Sequence, residues 1–167
     1  MRARVITAST RAAHAGGGYS DRSGPVAVAR LDALGFEVAD AVVVADGEPV
    51  ETALRAAVDE GFDVVVTTGG TGLTPTDRTP EATMSVIRAQ VPGIAEAIRA
   101  AGVSAGVSSA MLSRGLAGVA DGPTHATLIV NLPGSSGGVR DGMDVLAAIL
   151  VHAAEQLRGS DHPRPAS

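Results

Sequence analysis

Apolar positions fall along the chain in alternating strand-like and helix-like blocks. ARVITA (3–8) is a short β-branched run and predicts a first strand. It opens into STRAAHAGGGYSDRSG, a long Gly-rich loop, after which Pro25 is placed to start a helix. Val28, Leu31 and Leu34 form the stripe of that helix, and Gly35 is its stop. FEVADAVVVA (36–45) predicts a second strand, ended by Asp46-Gly47. Val50, Ala53, Leu54, Ala57 and Val58 follow at helical spacing up to Gly61. DVVVTT (63–68) predicts a third strand, the most apolar of the set. Thr79 is read as the cap of the next helix, with Pro80 in its first turn and Glu81 near its positive end. IAEAIRAAG reads as a helix, and LSRGLAGVA as a strand or hairpin. ATLIVNL (126–132) predicts a buried strand closed by Pro133-Gly134. Val139, Met143, Leu146, Leu150, Ala153 and Leu157 then predict one long amphipathic helix ending at Gly159.

Strands alternating with helices predict an α/β fold, a three-layer α/β/α sandwich with a mostly parallel sheet. One domain is expected over 1–158, with a loose polar tail at 159–167. In such sheets ligands bind at the carboxyl ends of the strands. The four clear strands empty into Ser9-Thr10-Arg11, Asp46-Gly47, Gly69-Gly70-Thr71-Gly72 and Pro133-Gly134-Ser135. If the strands are parallel, these loops share one rim.

Composition narrows the chemistry of that rim. All 13 basic residues are arginine and there is no cysteine, so lysine Schiff bases, a phosphate-loop lysine, disulfides and thiolate nucleophiles are excluded. A net charge of −5 without a basic run argues against nucleic acid as a partner. No apolar run reaches the ~18 residues of a membrane span, and MRARVITAST lacks the apolar core of a signal peptide. A cytoplasmic location is therefore expected.

TTGGTGLTPTDRTPEAT (67–83) is the densest candidate. Glycines in GGTG let backbone N–H groups approach an anion, or simply allow a tight turn with positive φ. No GK[ST] follows, so it is not a Walker loop, and Pro75 stands where a dinucleotide fingerprint needs its third glycine. Asp77 can form an Asx turn or hold a ligand. Asp46 at a neighbouring exit favours the second role, because two carboxylates beside an anion loop can hold Mg²⁺. Ser135 or Ser136 can cap the last helix, and the amides there suit a second phosphate. Arg78 and Arg140 are candidate charge partners. GVSAG (102–106), followed by Asp121 and His125, imitates a serine-hydrolase order, but a helical segment stands where the nucleophile elbow needs a strand. His14, His125, His152 and His162 have no zinc spacing.

Together, TTGGTGLTPTDRTPEAT, VVVADGEPV and LSRGLAGVADGPTHATLIVNLPGSSGGVRD resemble the molybdopterin adenylyltransferases of molybdenum cofactor biosynthesis, the Mog/MoaB-like family. The resemblance runs from about Val5 to Leu157. It implies transfer of AMP from Mg-ATP to the terminal phosphate of molybdopterin, with release of pyrophosphate. Asp77 and Asp46 match the family's functional acids, and Gly69, Gly70, Thr71 and Gly72 the loop for nucleotide and pterin phosphates. Pro133, Gly134 and Ser135 match the pterin-side loop. The resemblance also implies a homotrimer and hand-over to a molybdate-insertion enzyme. Many members carry Ser-Asp-Arg after the first strand; here that place reads Ser9-Thr10-Arg11, and a Ser-Asp-Arg stands further on, at 20–22. Ser9, Arg11 and Asp21 are site candidates on that ground. The alternative expectation is a molybdopterin carrier or scaffold without catalysis. A third reading is an interaction module akin to the similar domain of insertion enzymes, whose further domains this sequence does not show.

Overall fold

The computed structural model describes residues 1–14 and 20–159. Residues 15–19 of the first loop, and the tail from residue 160 onward, lie outside the described residues. The elements are β1 (Arg2–Ala8), α1 (Thr10–His14), α2 (Gly24–Ala33), β2 (Glu37–Val38), β3 (Val42–Val44), α3 (Glu48–Asp59), β4 (Val64–Thr68), α4 (Thr79–Met84), β5 (Ala89–Gln90) and α5 (Pro92–Ser104). A 3₁₀ turn (Ser108–Leu112), β6 (Ala117–Asp121), β7 (Ala126–Leu132), α6 (Ser136–Ala147) and α7 (Leu150–Leu157) complete the chain.

The sheet runs β2-β1-β4-β7-β6-β5, with β3 also paired to β1. β1 to β4 and β7 pair in parallel, while β6 is antiparallel to β7 and to β5. The period-two pattern of the strands separates two cores. Ala3, Val5, Val64, Val66, Leu128 and Val130 face one side, against Leu31 of α2, Ile98 of α5, Met143 of α6 and Leu150 of α7. Ile6, Ala8, Val65 and Ile129 face the other, against Val50, Leu54 and Val58 of α3 and Ala82 of α4. The expected three layers and mostly parallel sheet are present. No helix among the described residues is long and apolar enough to cross a membrane.

Three element boundaries depart from the pattern. The second strand is two short ones, because Ala39-Asp40-Ala41 lacks the β-branched residues that sustain pairing. β2 pairs the start of β1, and β3 its end. The expected long final helix is also two, α6 and α7, meeting at Ala148-Ile149. No Gly or Pro marks this break; the turn lets Leu150 and Ala154 pack into the same core as Val139 and Leu146. Thr79 is not a cap: Arg78 takes that position without a side-chain cap bond, and Thr79 is the first helical residue.

The amino edge of the sheet is tied by Asp63, which is 1% exposed. Its carboxylate accepts from the Arg2 amide at 2.6 Å and from Arg158 Nε and Nη2 at 2.5 and 2.9 Å, pinning the end of α7 to β4. His125 Nε2 lies 2.9 Å away. Burial opposes ionisation of Asp63, but the bonds from Arg158 and the Arg2 amide and the nearby positive charge outweigh it and hold its carboxyl below its ordinary value of 3.8. A carboxyl with a lowered folded pKa stabilises above the ordinary value and loses that contribution as pH falls through the folded one. Asp63→Asn is therefore expected to cost about 2 kcal/mol at neutral pH, with a shallower loss of stability on acidification. Urea unfolding of both proteins at neutral and acid pH measures this.

Candidate active site

The registers place four strand exits at one level. Thr7 of β1 stands beside Thr68 of β4 and Val43 of β3, and Thr68 beside Leu132 of β7. Ser9, Asp46, Gly69 and Pro133 thus leave the sheet on a common rim, as the spacing predicts. Above it lie two cavities, of about 540 Å³ and 710 Å³. The smaller is apolar in character, with Leu73, Ile98, Val107 and Leu112 in its wall. The larger is polar, with Ser9, Arg11, Asp21, Arg22 and Asp46. Gly70, Asp77, Gly134 and Ser135 line both, so the two lobes meet along these four residues.

The glycines of β4's exit are required by space as well as by conformation. Gly69 and Gly70 have φ of 88° and 63°, the region L side chains rarely adopt. A Cβ on Gly69 would lie 2.3 Å from the Ala8 carbonyl oxygen. A Cβ on Gly70 would lie 2.3 Å from both Asp46 Oδ1 and Thr79 Oγ1. The Gly69 amide donates to Leu132 O at 3.1 Å, so this first amide of GGTG closes the β4–β7 junction and does not reach into the groove for a phosphate. Thr71 is buried and carries the loop back under the rim, its carbonyl accepting from the Arg114 amide at 2.8 Å.

Asp46 is aimed by Thr10. Its Oδ2 accepts from the Thr10 amide and hydroxyl at 3.2 and 3.1 Å, while its own amide donates to Thr10 Oγ1 at 3.2 Å. Thr10 thus supplies donors to Asp46 where a second carboxylate would repel it. Asp46 Oδ1 and Thr79 Oγ1 are both buried without a hydrogen-bond partner among the described residues. Buried oxygens of this kind are costly unless something completes them. Asp77 reaches the groove from the other side, its Oδ2 packed 2.6 Å from where a Gly72 Cβ would stand. Its backbone is fixed independently of its carboxylate, through Asp77 N to Thr74 O at 3.0 Å and Arg114 Nη2 to Asp77 O at 2.5 Å.

On the β7 side, Ser135 caps α6 by accepting from the Gly138 amide at 3.1 Å. Ser136 Oγ donates to Arg22 O at 3.0 Å, joining this turn to the first loop. Asp21 belongs to a closed ring: Thr7 Oγ1 donates to Asp21 Oδ2 at 2.7 Å, Thr68 Oγ1 to Thr7 Oγ1 at 3.3 Å, Ser23 and Thr68 hydroxyls meet at 2.9 Å, and Ser23 Oγ donates to Asp21 Oδ1 at 3.0 Å. Burial opposes ionisation of Asp21, but the bonds from Thr7, the Gly24 and Ser23 amides and the Ser23 hydroxyl outweigh it and hold its carboxyl below the ordinary range. Asp21 is thereby an ionised floor of the polar lobe and the anchor of α2.

The sequence-predicted loop residues lie on the rim: Asp46, Asp77, Gly69, Gly70, Thr71, Gly72, Pro133, Gly134, Ser135, Ser9, Arg11 and Asp21 all stand in cavity walls. Arg78 and Arg140 do not line either lobe; Arg11 and Arg22 do, in the polar one, and Arg99 in the apolar one. The hydrolase-like trio is dispersed. Ser104 ends α5, Asp121 pairs with Arg88 at 2.5 Å, and His125 faces Asp63. Thr10, Thr79 and Arg114 carry no sign of a site role in isolation; only the fold brings them to Asp46, Gly70 and Asp77.

Among the described residues no group of three or more His, Cys, Asp or Glu could cage a metal. Asp46 and Asp77 are two carboxylates facing one polar cavity, with Asp46 Oδ1 lacking a partner among the described residues. Mg²⁺ commonly takes one or two carboxylates plus substrate phosphates and water. The pair fits a cation that arrives with a phosphorylated substrate.

Fold and rim define an α/β sandwich protein with a two-lobed, phosphate-suited groove at the carboxyl end of a parallel sheet. The chain belongs to the family described as "Probable molybdopterin binding domain", matched over residues 4–153. It is 41% identical over 162 residues, 96% of its length, to a molybdenum cofactor biosynthesis bifunctional protein of Synechococcus elongatus, and spans only 48% of that relative. It is 33% identical to a molybdopterin adenylyltransferase of Pyrococcus furiosus, covering 92% of this chain and 89% of that one. In structure it is similar to the molybdopterin biosynthesis Mog protein of Mycobacterium ulcerans, with TM-score 0.84 and 50% identity, over 93% of this chain and 98% of the other.

Proposed function

We propose that the chain is a molybdopterin adenylyltransferase of molybdenum cofactor biosynthesis. The observation that carries this reading is Asp77 at the junction of an apolar and a polar lobe, the one acid common to both. Two substrates whose phosphates meet between two lobes need such an acid at the point of transfer. An oxygen of the terminal phosphate of molybdopterin attacks the α-phosphorus of ATP. The bond from that phosphorus to the bridging oxygen breaks, and pyrophosphate leaves with the electron pair. In this reading the polar lobe takes the phosphates, and the apolar lobe a planar ring system.

Asp46 and Asp77 would hold Mg²⁺ when it accompanies ATP; there it would neutralise charge on the phosphates as the α-phosphorus is attacked. Thr10 keeps Asp46 turned toward Gly70. The Gly70–Gly72 backbone and the cap of α6 give rigid, dipolar walls, so catalysis is by positioning and electrostatics. Arg11 and Arg22 are the cations of the polar lobe, suited to phosphate oxygens. No covalent intermediate is invoked.

Cytoplasmic location, a homotrimer and passage of the product to a molybdate-insertion enzyme belong to the same proposal. Exposed Met111, next to Leu112 in the wall of the apolar lobe, is apolar surface that association can cover. Light scattering checks the trimer: a mass near three chains is expected, and a monomer would remove that part. For the reaction, pyrophosphate release is expected only when molybdopterin and Mg-ATP are both present. The carrier alternative predicts molybdopterin binding with ATP untouched.

A further inference from the structure

We propose that Arg114 is a positioning residue for the reaction, acting from behind the groove to fix Asp77. It lies between the 3₁₀ turn and β6, and lines neither lobe of the groove. It lines a separate cavity of about 400 Å³ behind them, with Glu81, Met84 and Arg99. From there its guanidinium takes hold of the segment carrying Asp77 at both ends. Nε donates to Gly72 O at 2.8 Å and Nη2 to Asp77 O at 2.5 Å. Nη1 donates to Glu81 Oε1 in the first turn of α4. The Arg114 amide adds a fourth bond, to Thr71 O.

The intervening Leu73, Thr74, Pro75 and Thr76 are exposed and make little use of the core. Within the segment only the Thr74–Asp77 turn and a contact between the Thr74 and Thr76 hydroxyls add order. The fork therefore adds side-chain bonds to a loop whose base is otherwise tied through the backbone, by the Thr79 amide donating to Gly70 O at 3.0 Å and the Arg114 amide to Thr71 O. Glu81 completes the clamp. Its hydrogen bond from Arg114, against a lesser effect of burial, holds its carboxyl below the ordinary range, so the pair stays charged at neutral pH. A lysine cannot reproduce three bonds to separate oxygens, because it presents a point charge and not a planar fork.

The reaction part of this inference rests on the adenylyl-transfer reading; the loop-holding part does not. The test combines kinetics with amide hydrogen exchange. In Arg114→Ala, exchange at residues 73–77 should quicken, while the amides of β4 and β7 keep their protection. The kcat for pyrophosphate release should fall by about 10- to 100-fold, the scale of a displaced catalytic group, with KM for ATP within about twofold of wild type. Arg114→Lys should be nearly as slow as Arg114→Ala, and guanidinium ion should restore part of the rate to Arg114→Ala alone. Adding Arg114→Ala to Asp77→Asn should slow the enzyme no further, since both act through one group. Unchanged exchange at 73–77, full activity of Arg114→Lys, or additive losses in the double variant would each overturn the proposal. If the wild-type protein released no pyrophosphate, the adenylyl-transfer reading would fall, and the exchange measurement would still decide whether Arg114 holds the loop.

Discussion

Asp77→Asn is expected to fold and bind as wild type yet lose pyrophosphate release by at least about 10²- to 10³-fold, the scale on which a single charge-stabilising group acts. Folding is spared because the bonds that shape this loop use the backbone of Asp77: its amide donates to Thr74 and its carbonyl accepts from Arg114. The carboxylate carries none of that load. Asparagine keeps the shape beside Gly72 and removes only the charge, so a metal ligand or an orienting group is lost while the walls remain. Asp46→Asn should also be slow, but it disturbs the two contacts of the carboxylate with Thr10 and so perturbs the first loop as well. Steady-state rates beside equilibrium binding of a non-hydrolysable ATP analogue separate the two variants. Wild-type turnover in Asp77→Asn would sink the assigned role.

The second large effect falls on stability. Gly69→Ala places a methyl 2.3 Å from a backbone oxygen of β1, at a φ of 88°. Ala8 cannot yield, since β1 is paired on both sides. Strain and overpacking together are expected to cost about 3 kcal/mol, or roughly 10 °C in Tm for a chain of this size. Gly137→Ala is the control. A Cβ there meets nothing within 4 Å, and within α6 alanine is favoured by up to about 1 kcal/mol, so Tm should hold or rise. Thermal unfolding of both variants reads the contrast, and equal Tm values would contradict the close β1–β4 junction.

The rim was legible in the sequence because each of its loops follows a strand whose apolar run is unambiguous. Parallel pairing then fixes where the loops go: Ser9, Asp46, Gly69 and Pro133 are far apart in sequence and level in the sheet. The groups that support them were not legible. Thr10 is an ordinary hydroxyl until β1 and β3 lie side by side and set it against Asp46. Arg114 is one of 13 arginines, and its grip on Gly72 and Asp77 depends on where β6 enters the sheet. The break between α6 and α7 was equally silent. LAAILV has the propensities of a continuous helix, and tertiary packing of Leu150 overrides them. Local chemistry was thus visible where backbone must be special, as at Gly69 and Gly70. It was hidden where an ordinary side chain gains its role from a distant partner.

In the proposed reaction this groove joins AMP to molybdopterin. A single-turnover reaction with stoichiometric molybdopterin and ATP labelled at the α-phosphate tests that transfer. Label is expected to pass to the pterin as a phosphoanhydride in step with pyrophosphate release. Bound pterin that stays unlabelled, with ATP intact or cleaved to ADP and phosphate, would contradict it.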